Sequence, residues 1–211
     1  MNVTIRPLRT ADLPLLVQWR QQPDVAAWCY SRPTVESFAR RIEAAGDSRQ
    51  DFIVEIDGAP VGSVNLDEIN RSHKRAECGV LIGSTWARRG GVATAATGLL
   101  LRHAFGPLEL ERVYLHVFAS NAAAIRMYHR LGFRHEGVLR RHALKGGWLD
   151  VHVMGVLRSE WPLVCFAPSR GLETSGRRHG PHGCNTETWR AADVTCLVCK
   201  GIMLNDGGAC E

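Results

Sequence analysis

The stretch Arg88-Arg89-Gly90-Gly91-Val92-Ala93 decides how this chain is organised, because a strand-like run ends before it and a helical pattern begins at Val92. Two adjacent glycines allow a tight turn and let a ligand approach the backbone closely. The first N–H groups of a helix have no intrahelical partner, and the helix dipole favours negative charge there. No Asp or Glu occurs from Cys78 to Pro107. The stretch therefore predicts a phosphate-binding turn, and the alternative is an ordinary strand-to-helix turn with solvated arginines.

The composition is typical of a folded domain with a full hydrophobic core. Of the 211 residues, 45% are hydrophobic and 22% are charged. No apolar run approaches the roughly 20 residues that span a bilayer, and the N-terminus lacks a secretion-signal pattern; we therefore expect a cytoplasmic protein without a membrane partner. The net charge of +5 suits a small anionic cofactor, while the spread of the arginines argues against nucleic acid as a partner. Seven cysteines, an odd number, argue against a disulfide framework.

Strand and helix patterns interleave over residues 1–162 and predict a mixed sheet with helices on its faces. The predicted strands cover residues 3–8, 52–56, 61–66, 76–82, 113–117, 133–144 and 148–156. Helices are predicted after Asp12, from Pro33 to about Ala45, from Val92 to about Phe105, and after Asn121. Residues 23–33, with Trp28 and Tyr30, are expected to form a loop that packs as a lid or shapes a substrate pocket.

The composition divides the chain into three parts. Residues 1–162 carry the periodic patterns and are expected to form one domain. Residues 163–178 are predicted to be a linker, and residues 179–211 a small appendage rich in Cys and His.

Three motifs together resemble the GNAT superfamily of acyl-CoA-dependent N-acetyltransferases, closest to the branch of RimJ/RimL protein N-terminal acetyltransferases and spermidine acetyltransferases. They are Arg88-x-x-Gly91-x-Ala93, Asn121 followed by Tyr128 before Leu131-Gly132-Phe133, and Glu136-Gly137-Val138-Leu139-Arg140 with Gly147-Trp148-Leu149-Asp150 and Met154. The resemblance covers roughly residues 3–162. It implies an α/β (α+β) fold with a mixed, mostly antiparallel central sheet flanked by helices. Gly90 departs from the pattern, because related sequences often carry a Lys there.

The resemblance implies where acetyl-CoA binds. The pyrophosphate would lie on the turn formed by Arg88, Arg89, Gly90, Gly91, Val92, Ala93 and Thr94. The strand Val80-Leu81-Ile82 would splay from its neighbour and offer unpaired backbone groups to the pantetheine arm. The side chains of this strand are expected to lie in the core at the same time.

Two residues of the second motif are expected to serve the reaction. Tyr128 is the candidate acid for the departing thiolate, although a tyrosine on a short helix is often only a packing residue with a polar tip. Asn121 is expected to cap its helix and to contact the pantetheine arm as well.

Glu77 is the second candidate catalytic residue, because it lies near the reacting end of the central strand. It would take the amine proton through water or orient a cationic substrate; the alternative is a strand-edge carboxylate paired with Arg75 or Lys74. His116 would relay a proton, or it is a hydrogen-bonded core histidine, which we favour.

The appendage contains His179, Cys184, Cys196 and Cys199, a spacing that predicts one structural zinc ion. His182 or Cys210 is an alternative fourth ligand, and a disordered cysteine-bearing terminus is the alternative to the whole site.

These observations predict an N-acetyltransferase that moves an acetyl group from acetyl-CoA to a primary amine by direct attack. The rival is a noncatalytic acyl-CoA-sensing or protein-interaction module. The acceptor stays open among a protein N-terminus, a polyamine, an aminoglycoside and an amino sugar. A homodimer is the expected assembly.

Overall fold

The computed structural model describes residues 2–88 and 90–161, together with the backbone of residues 189–190. Its strands are β1 Val3–Pro7, β2 Gln50–Ile56, β3 Ala59–Asn70, β4 Arg75–Ile82, β5 Arg112–Phe118, β6 Arg134–Leu144, β7 Trp148–Leu157 and β8 Trp189–Arg190. Its α-helices are α1 Leu13–Gln21, α2 Pro23–Ala26, α3 Val35–Ala45, α4 Val92–Phe105 and α5 Ala122–Arg130. Three short 3-10 helices lie at Thr10–Asp12, Gly46–Ser48 and Thr85–Ala87.

The strands form one mixed sheet in the order β6-β7-β5-β4-β3-β2-β1-β8. Among the described strands, β4 and β5 are the parallel pair, and every other neighbouring pair is antiparallel. A parallel connection needs a long crossover, and α4 supplies it between β4 and β5. The mostly antiparallel sheet expected from the sequence is therefore confirmed.

Helices cover both faces of the sheet and give the molecule three layers. Leu99 and Leu100 of α4 and Met127 of α5 are buried with residues of β1, β3, β4 and β5. On the other face, Leu16 of α1 and Phe38 of α3 enclose Ile53. Neighbouring residues of a strand point to opposite faces, so β4 contributes side chains to both layers.

Two features differ from the sequence prediction by more than two residues. Residues 23–33 are not loop throughout, because Pro23–Ala26 forms the short helix α2; proline at the first helical position suits such a start. Strand β3 continues to Asn70, past the predicted end at Leu66. An irregularity between Asp67 and Asn70 and a positive φ of 51° at Glu68 explain why the periodic pattern fades there.

The predicted zinc site falls in the tail and not in the described domain. The predicted zinc ligands His179, Cys184, Cys196 and Cys199 lie outside the described residues, and so do the alternatives His182 and Cys210. In residues 2–88 and 90–161, no group of His, Cys, Asp and Glu side chains is arranged to hold a metal ion. No helix in this part of the chain is long and apolar enough to cross a membrane.

Candidate active site

The central feature of the site is an opening in the sheet between β4 and β5. The two strands pair only from Arg75↔Arg112 to Glu77↔Tyr114. Beyond that point, β4 continues to Ile82 and stays paired with β3, while β5 continues to Phe118 and stays paired with β7. Among the described strands, residues 78–82 of β4 therefore have no partner on their β5 side. This matches the expected splay, and contact of Val80, Leu81 and Ile82 with the pantetheine arm stays a prediction.

Side chains on β4 separate the opening into two faces. Val80 and Ile82 pack against the buried cluster that contains Tyr128, whereas Leu81 packs against the cluster under α1 and α3. Because side chains alternate along a strand, Cys78 faces the Tyr128 side and Glu77 faces the α1 and α3 side. A group that enters the opening can be reached from both faces of the sheet.

The glycine turn lies beyond the open end of β4. Gly91 adopts a left-handed conformation, with φ 76° and ψ 0°, directly before α4. The first helical hydrogen bond runs from the Ala95 N–H to the Gly91 carbonyl at 3.0 Å, so the N–H groups of Val92, Ala93 and Thr94 are not used by the helix. A Cβ atom at Gly91 would meet nothing within 4 Å, which leaves space for an anion in front of these groups.

The side chain of Arg88 has a different position from the one the phosphate prediction assumes. Its Nε donates to the Ile82 carbonyl at 3.0 Å, and its Nη2 donates to the Gly83 carbonyl at 2.8 Å and to Gln22 Oε1 at 2.8 Å. Its Nη1 forms an ion pair with Asp24. The guanidinium thus braces the turn against the end of β4 and against the α1–α2 junction, and phosphate binding by this side chain stays a prediction. Arg89 lies outside the described residues.

Tyr128 lies on α5, on the side of the sheet that Cys78 faces. Its side chain is 6% exposed, and its ring contacts the Phe133 ring edge-on at 5.4 Å between centroids. In the described part of the chain its hydroxyl has no hydrogen-bond partner. Burial, with a smaller contribution from the neighbouring Cys78, raises the pKa of Tyr128 well above its usual value. The hydroxyl is therefore protonated at neutral pH and available as a donor.

Asn121 begins α5, as the sequence predicts. Its side-chain oxygen accepts from the Ala124 N–H at 3.1 Å, which is the hydrogen bond of a helix N-cap. The side-chain amide is left to donate elsewhere, so a second role in binding the pantetheine arm stays a prediction.

Glu77 pairs with His116 across the closed end of the opening. The Nδ1 atom of His116 lies 2.9 Å from Oε1 of Glu77, and both side chains are about a quarter exposed. Neither Arg75 nor Lys74 forms an ion pair with Glu77 in the described part of the chain, and the Arg75 guanidinium lies over the Tyr114 ring instead. The alternative reading of Glu77 is therefore wrong. His116 is hydrogen-bonded, as expected, but it borders the opening and is not part of the core.

Aromatic and imidazole rings lie next to the Glu77–His116 pair on its solvent side. The His142 ring lies parallel to the His116 ring, with 6.2 Å between centroids and 12° between planes. Tyr30 contacts His142 at 6.4 Å and Phe118 at 5.0 Å. The residue 23–33 segment therefore does border the site, and Lys145 fixes it there by donating to the carbonyls of Ala26 and Cys29.

His142 reaches the site through an irregularity in β6 that the sequence analysis did not identify. The pairing with β7 shifts between Leu139 and Ala143, so three residues of β6 stand opposite one residue of β7. Arg141, inside this bulge, has a φ of 51°, and its N–H donates to Oδ1 of Asp150 at 2.8 Å. The bulge turns His142 toward His116, a placement that no local sequence pattern signals.

An open cleft in a mixed sheet, beside a glycine turn at a helix N-terminus, is the arrangement expected of an acyl-CoA-dependent transferase. Comparison with known protein families supports this expectation: the family model described as "Acetyltransferase (GNAT) domain" matches residues 2–134. The chain belongs to this GNAT acetyltransferase family. It is an N-acetyltransferase whose co-substrate is acetyl-CoA and whose acceptor is an amine.

Three similar proteins illustrate the relationship. The chain is 34% identical over 143 residues to spermidine N(1)-acetyltransferase of Escherichia coli K12, which covers 65% of this chain and 76% of that enzyme. It is 30% identical over 160 residues to the L-amino acid N-acetyltransferase AaaT of E. coli K12, with coverages of 72% and 96%. The structure of spermidine N-acetyltransferase from Vibrio cholerae, in complex with CoA and spermine, aligns with a TM-score of 0.70 at 26% identity and covers 75% of this chain and 96% of that one.

Proposed function

We propose that the chain acetylates a primary amine by direct attack on acetyl-CoA held in the opening between β4 and β5, without an acetylated enzyme. The observation that supports this is the end of β4–β5 pairing at Glu77↔Tyr114. It places unpaired backbone groups between the glycine turn at one end and the Glu77–His116 pair at the other. A cofactor with a pyrophosphate, an amide-rich arm and a terminal thioester matches that order of features.

The proposed binding mode uses mainly backbone groups. The free N–H groups of Val92, Ala93 and Thr94, with Gly90 and Gly91 in front of them, would hold the pyrophosphate. The unpaired edge of β4 at Val80, Leu81 and Ile82 would hydrogen-bond the pantetheine amides, as an added strand does at a sheet edge. The thioester would then lie where β4 and β5 converge.

His116 is the proposed base. A carboxylate accepts hydrogen bonds and cannot donate them, so Nδ1 of His116 must carry the proton that faces Glu77. In the neutral imidazole this leaves the Nε2 lone pair free to take a proton from the attacking amine. Glu77 then stabilises the imidazolium, and its role changes from proton acceptor to positioning residue.

The bond changes balance within the site. The neutral amine forms the C–N bond, its proton passes to His116, and the C–S bond breaks with the electron pair on sulfur. Tyr128 donates a hydrogen bond to this developing thiolate from the opposite face of the sheet. As the C–S bond breaks, the proton of the Tyr128 hydroxyl passes to sulfur. Burial disfavours the tyrosinate left behind, so it is reprotonated through solvent with the proton that His116 took from the amine, and the net change moves one proton from nitrogen to sulfur.

Mass spectrometry of the intact protein tests the direct route. The chain is incubated with acetyl-CoA alone and then with acetyl-CoA and an amine, while free thiol is followed in both. We expect thiol release and acetylated amine only when the amine is present, with the protein mass unchanged. An acetylated protein that forms without amine and decays when amine is added would overturn the direct route.

Other expectations from the sequence belong to this proposal too. A cytoplasmic location and a homodimer remain predictions, as do the linker at residues 163–178 and the zinc site of the tail. The upstream domain already provides the groups that acetyl transfer requires, so the tail would serve docking of a substrate or partner.

A further inference from the structure

The surface next to the opening on the His116 side carries several cationic side chains. A hollow of about 780 Å³ is lined by Val138, Leu139, Arg140, Arg141, His142 and Asp150. It adjoins the transfer site, because His142, one of its lining residues, stacks on His116. An acceptor longer than a simple amine that reaches His116 would therefore contact this lining.

The arginines of the hollow have no carboxylate partner among the described residues. Arg140 and Arg141 are exposed, and neither forms an ion pair in the described part of the chain. Asp150 is the carboxylate of the hollow, and one of its oxygens already accepts the Arg141 N–H. That bond holds the bulge in shape and leaves the two guanidinium groups as the dominant charge.

A second, smaller cavity on the same side is also lined by cationic side chains. It measures about 220 Å³ and is lined by residues that include Tyr30, Arg32, Phe118 and Lys145. The Lys145 ammonium donates to backbone carbonyls and has no carboxylate partner in the described residues. Four cations, Arg32, Arg140, Arg141 and Lys145, thus line the two hollows. Glu77 and Glu68 accept hydrogen bonds from His116 and from the Tyr114 hydroxyl and do not line either hollow.

We infer that the acceptor is an amine that also carries an anionic group a few bonds from the reacting nitrogen, as an amino acid does. This inference rests on the proposed function, because it places the acceptor amine at His116. Arginine binds a carboxylate through two parallel hydrogen bonds, and Arg140 and Arg141 are placed to receive it. A polyamine would bring further positive charge toward four cations, and Asp150 is the carboxylate among the residues that line the two hollows.

A matched set of acceptors tests the inference. Lysine, lysine methyl ester and cadaverine share the amine chain and differ in the carboxylate, which is free, masked or absent; spermidine represents the polyamines. Thiol release at saturating acetyl-CoA gives kcat/KM for each. A hydrogen-bonded carboxylate changes affinity by roughly tenfold or more, so we expect lysine to exceed the ester and cadaverine by that factor, mostly through KM.

Variants assign the preference to the bulge. Arg140→Gln and Arg141→Gln should reduce the ratio of lysine to cadaverine toward one, and the corresponding Lys variants should retain part of it. Arg71→Gln, in the exposed turn between β3 and β4, is the control and should keep the wild-type ratio. Equal or better kcat/KM for cadaverine or spermidine would overturn the inference and leave acetyl transfer intact. Binding of acetyl-CoA without thiol release for any of the four amines would overturn the proposed function and this inference with it.

Discussion

The imidazole of His116 and the carboxylate of Glu77 form a hydrogen bond of 2.9 Å beside Glu77↔Tyr114, the last residue pair that joins β4 to β5. The two residues are 39 positions apart in the sequence, and only the parallel pairing of their strands brings them together. This contact supports the proposed pair, in which His116 takes the proton and Glu77 orients its imidazole.

Substitution within the pair separates the two roles. His116→Asn keeps an amide that can donate to Glu77 but removes the basic nitrogen, so kcat should fall by about 10²-fold. Glu77→Gln keeps the shape and loses the charge that stabilises the imidazolium, and its effect on kcat should be smaller. Steady-state kinetics at saturating acetyl-CoA measures both, and calorimetry should find acetyl-CoA affinity unchanged. A large loss in Glu77→Gln with little loss in His116→Asn would show that Glu77 itself is the base.

The role of the turn before α4 in binding the pyrophosphate can be tested with two substitutions of Gly91 whose side chains have the same size. Gly91 has a positive φ, which Asn and Asp tolerate better than most side chains, and a Cβ atom there meets no neighbour. Both variants should fold. Gly91→Asp puts negative charge where the pyrophosphate is proposed to lie, so acetyl-CoA should bind roughly tenfold more weakly than in the Gly91→Asn control. Equal affinities in the two variants, measured by calorimetry, would remove the turn from the cofactor site.

Removal of the Tyr128 hydroxyl should affect catalysis much more than folding. The hydroxyl has no protein partner in the described residues, while the ring is buried against Phe133, so Tyr128→Phe keeps the packing. We expect kcat to fall by about 10²-fold, as for loss of a general acid, with the melting temperature and acetyl-CoA affinity near wild type. Full turnover under conditions where chemistry limits the rate would make Tyr128 a packing residue only.

His103 on α4 gives the fold a pH dependence. Its side chain is buried, its Nε2 lies 2.7 Å from Oε1 of Gln50, and burial lowers its pKa. The unfolded chain titrates near the ordinary value of about 6.5. As pH falls below that value the unfolded state takes up the proton first, so the free energy of unfolding decreases.

Denaturant titrations at about pH 7.5 and about pH 5.5 measure this loss. His103→Gln should lower stability overall but flatten the change between the two pH values. The control His73→Gln, in the exposed turn between β3 and β4, should keep the wild-type slope. An unchanged slope in His103→Gln would exclude His103 as its source.

The features that could be predicted from the sequence are local ones. The turn at Gly91, the cap at Asn121 and the helix that begins at Val92 each depend on a few neighbouring residues, so a short pattern carries the whole signal. The family resemblance also led to the expected splay of β4, which the structure shows, and to the role of Tyr128, which stays a prediction.

The features that could not be predicted depend on strand register and on distant contacts. His142 reaches His116 only because the β6 bulge adds residues against β7, and a bulge of ordinary residues leaves no pattern in the sequence. The Glu77–His116 pair likewise requires knowing that β4 lies beside β5. Arg88 was predicted as a phosphate ligand because its neighbours are glycines, yet its ion-pair partner Asp24 is 64 positions away.

Arg88 either braces the turn or binds the pyrophosphate, and an Asp24 variant distinguishes these two roles. If the guanidinium braces the turn, its bonds to the Ile82 and Gly83 carbonyls and to Gln22 hold it in place without Asp24. Asp24→Asn should then leave acetyl-CoA affinity within about twofold, because an exposed ion pair contributes little. If Arg88 instead turns to the pyrophosphate, Asp24 competes with the ligand, and Asp24→Asn should bind acetyl-CoA more tightly.

We expect the bracing outcome, and Arg88→Gln provides the second half of the test. Loss of the guanidinium frees two backbone carbonyls at the end of β4, so the melting temperature should fall along with acetyl-CoA affinity. The salt dependence of binding separates this from direct contact, since a lost arginine–phosphate pair reduces that dependence and a loosened turn does not. Tighter binding in Asp24→Asn, together with a weaker salt dependence in Arg88→Gln, would establish Arg88 as a phosphate ligand and limit its bracing role to the structure without cofactor.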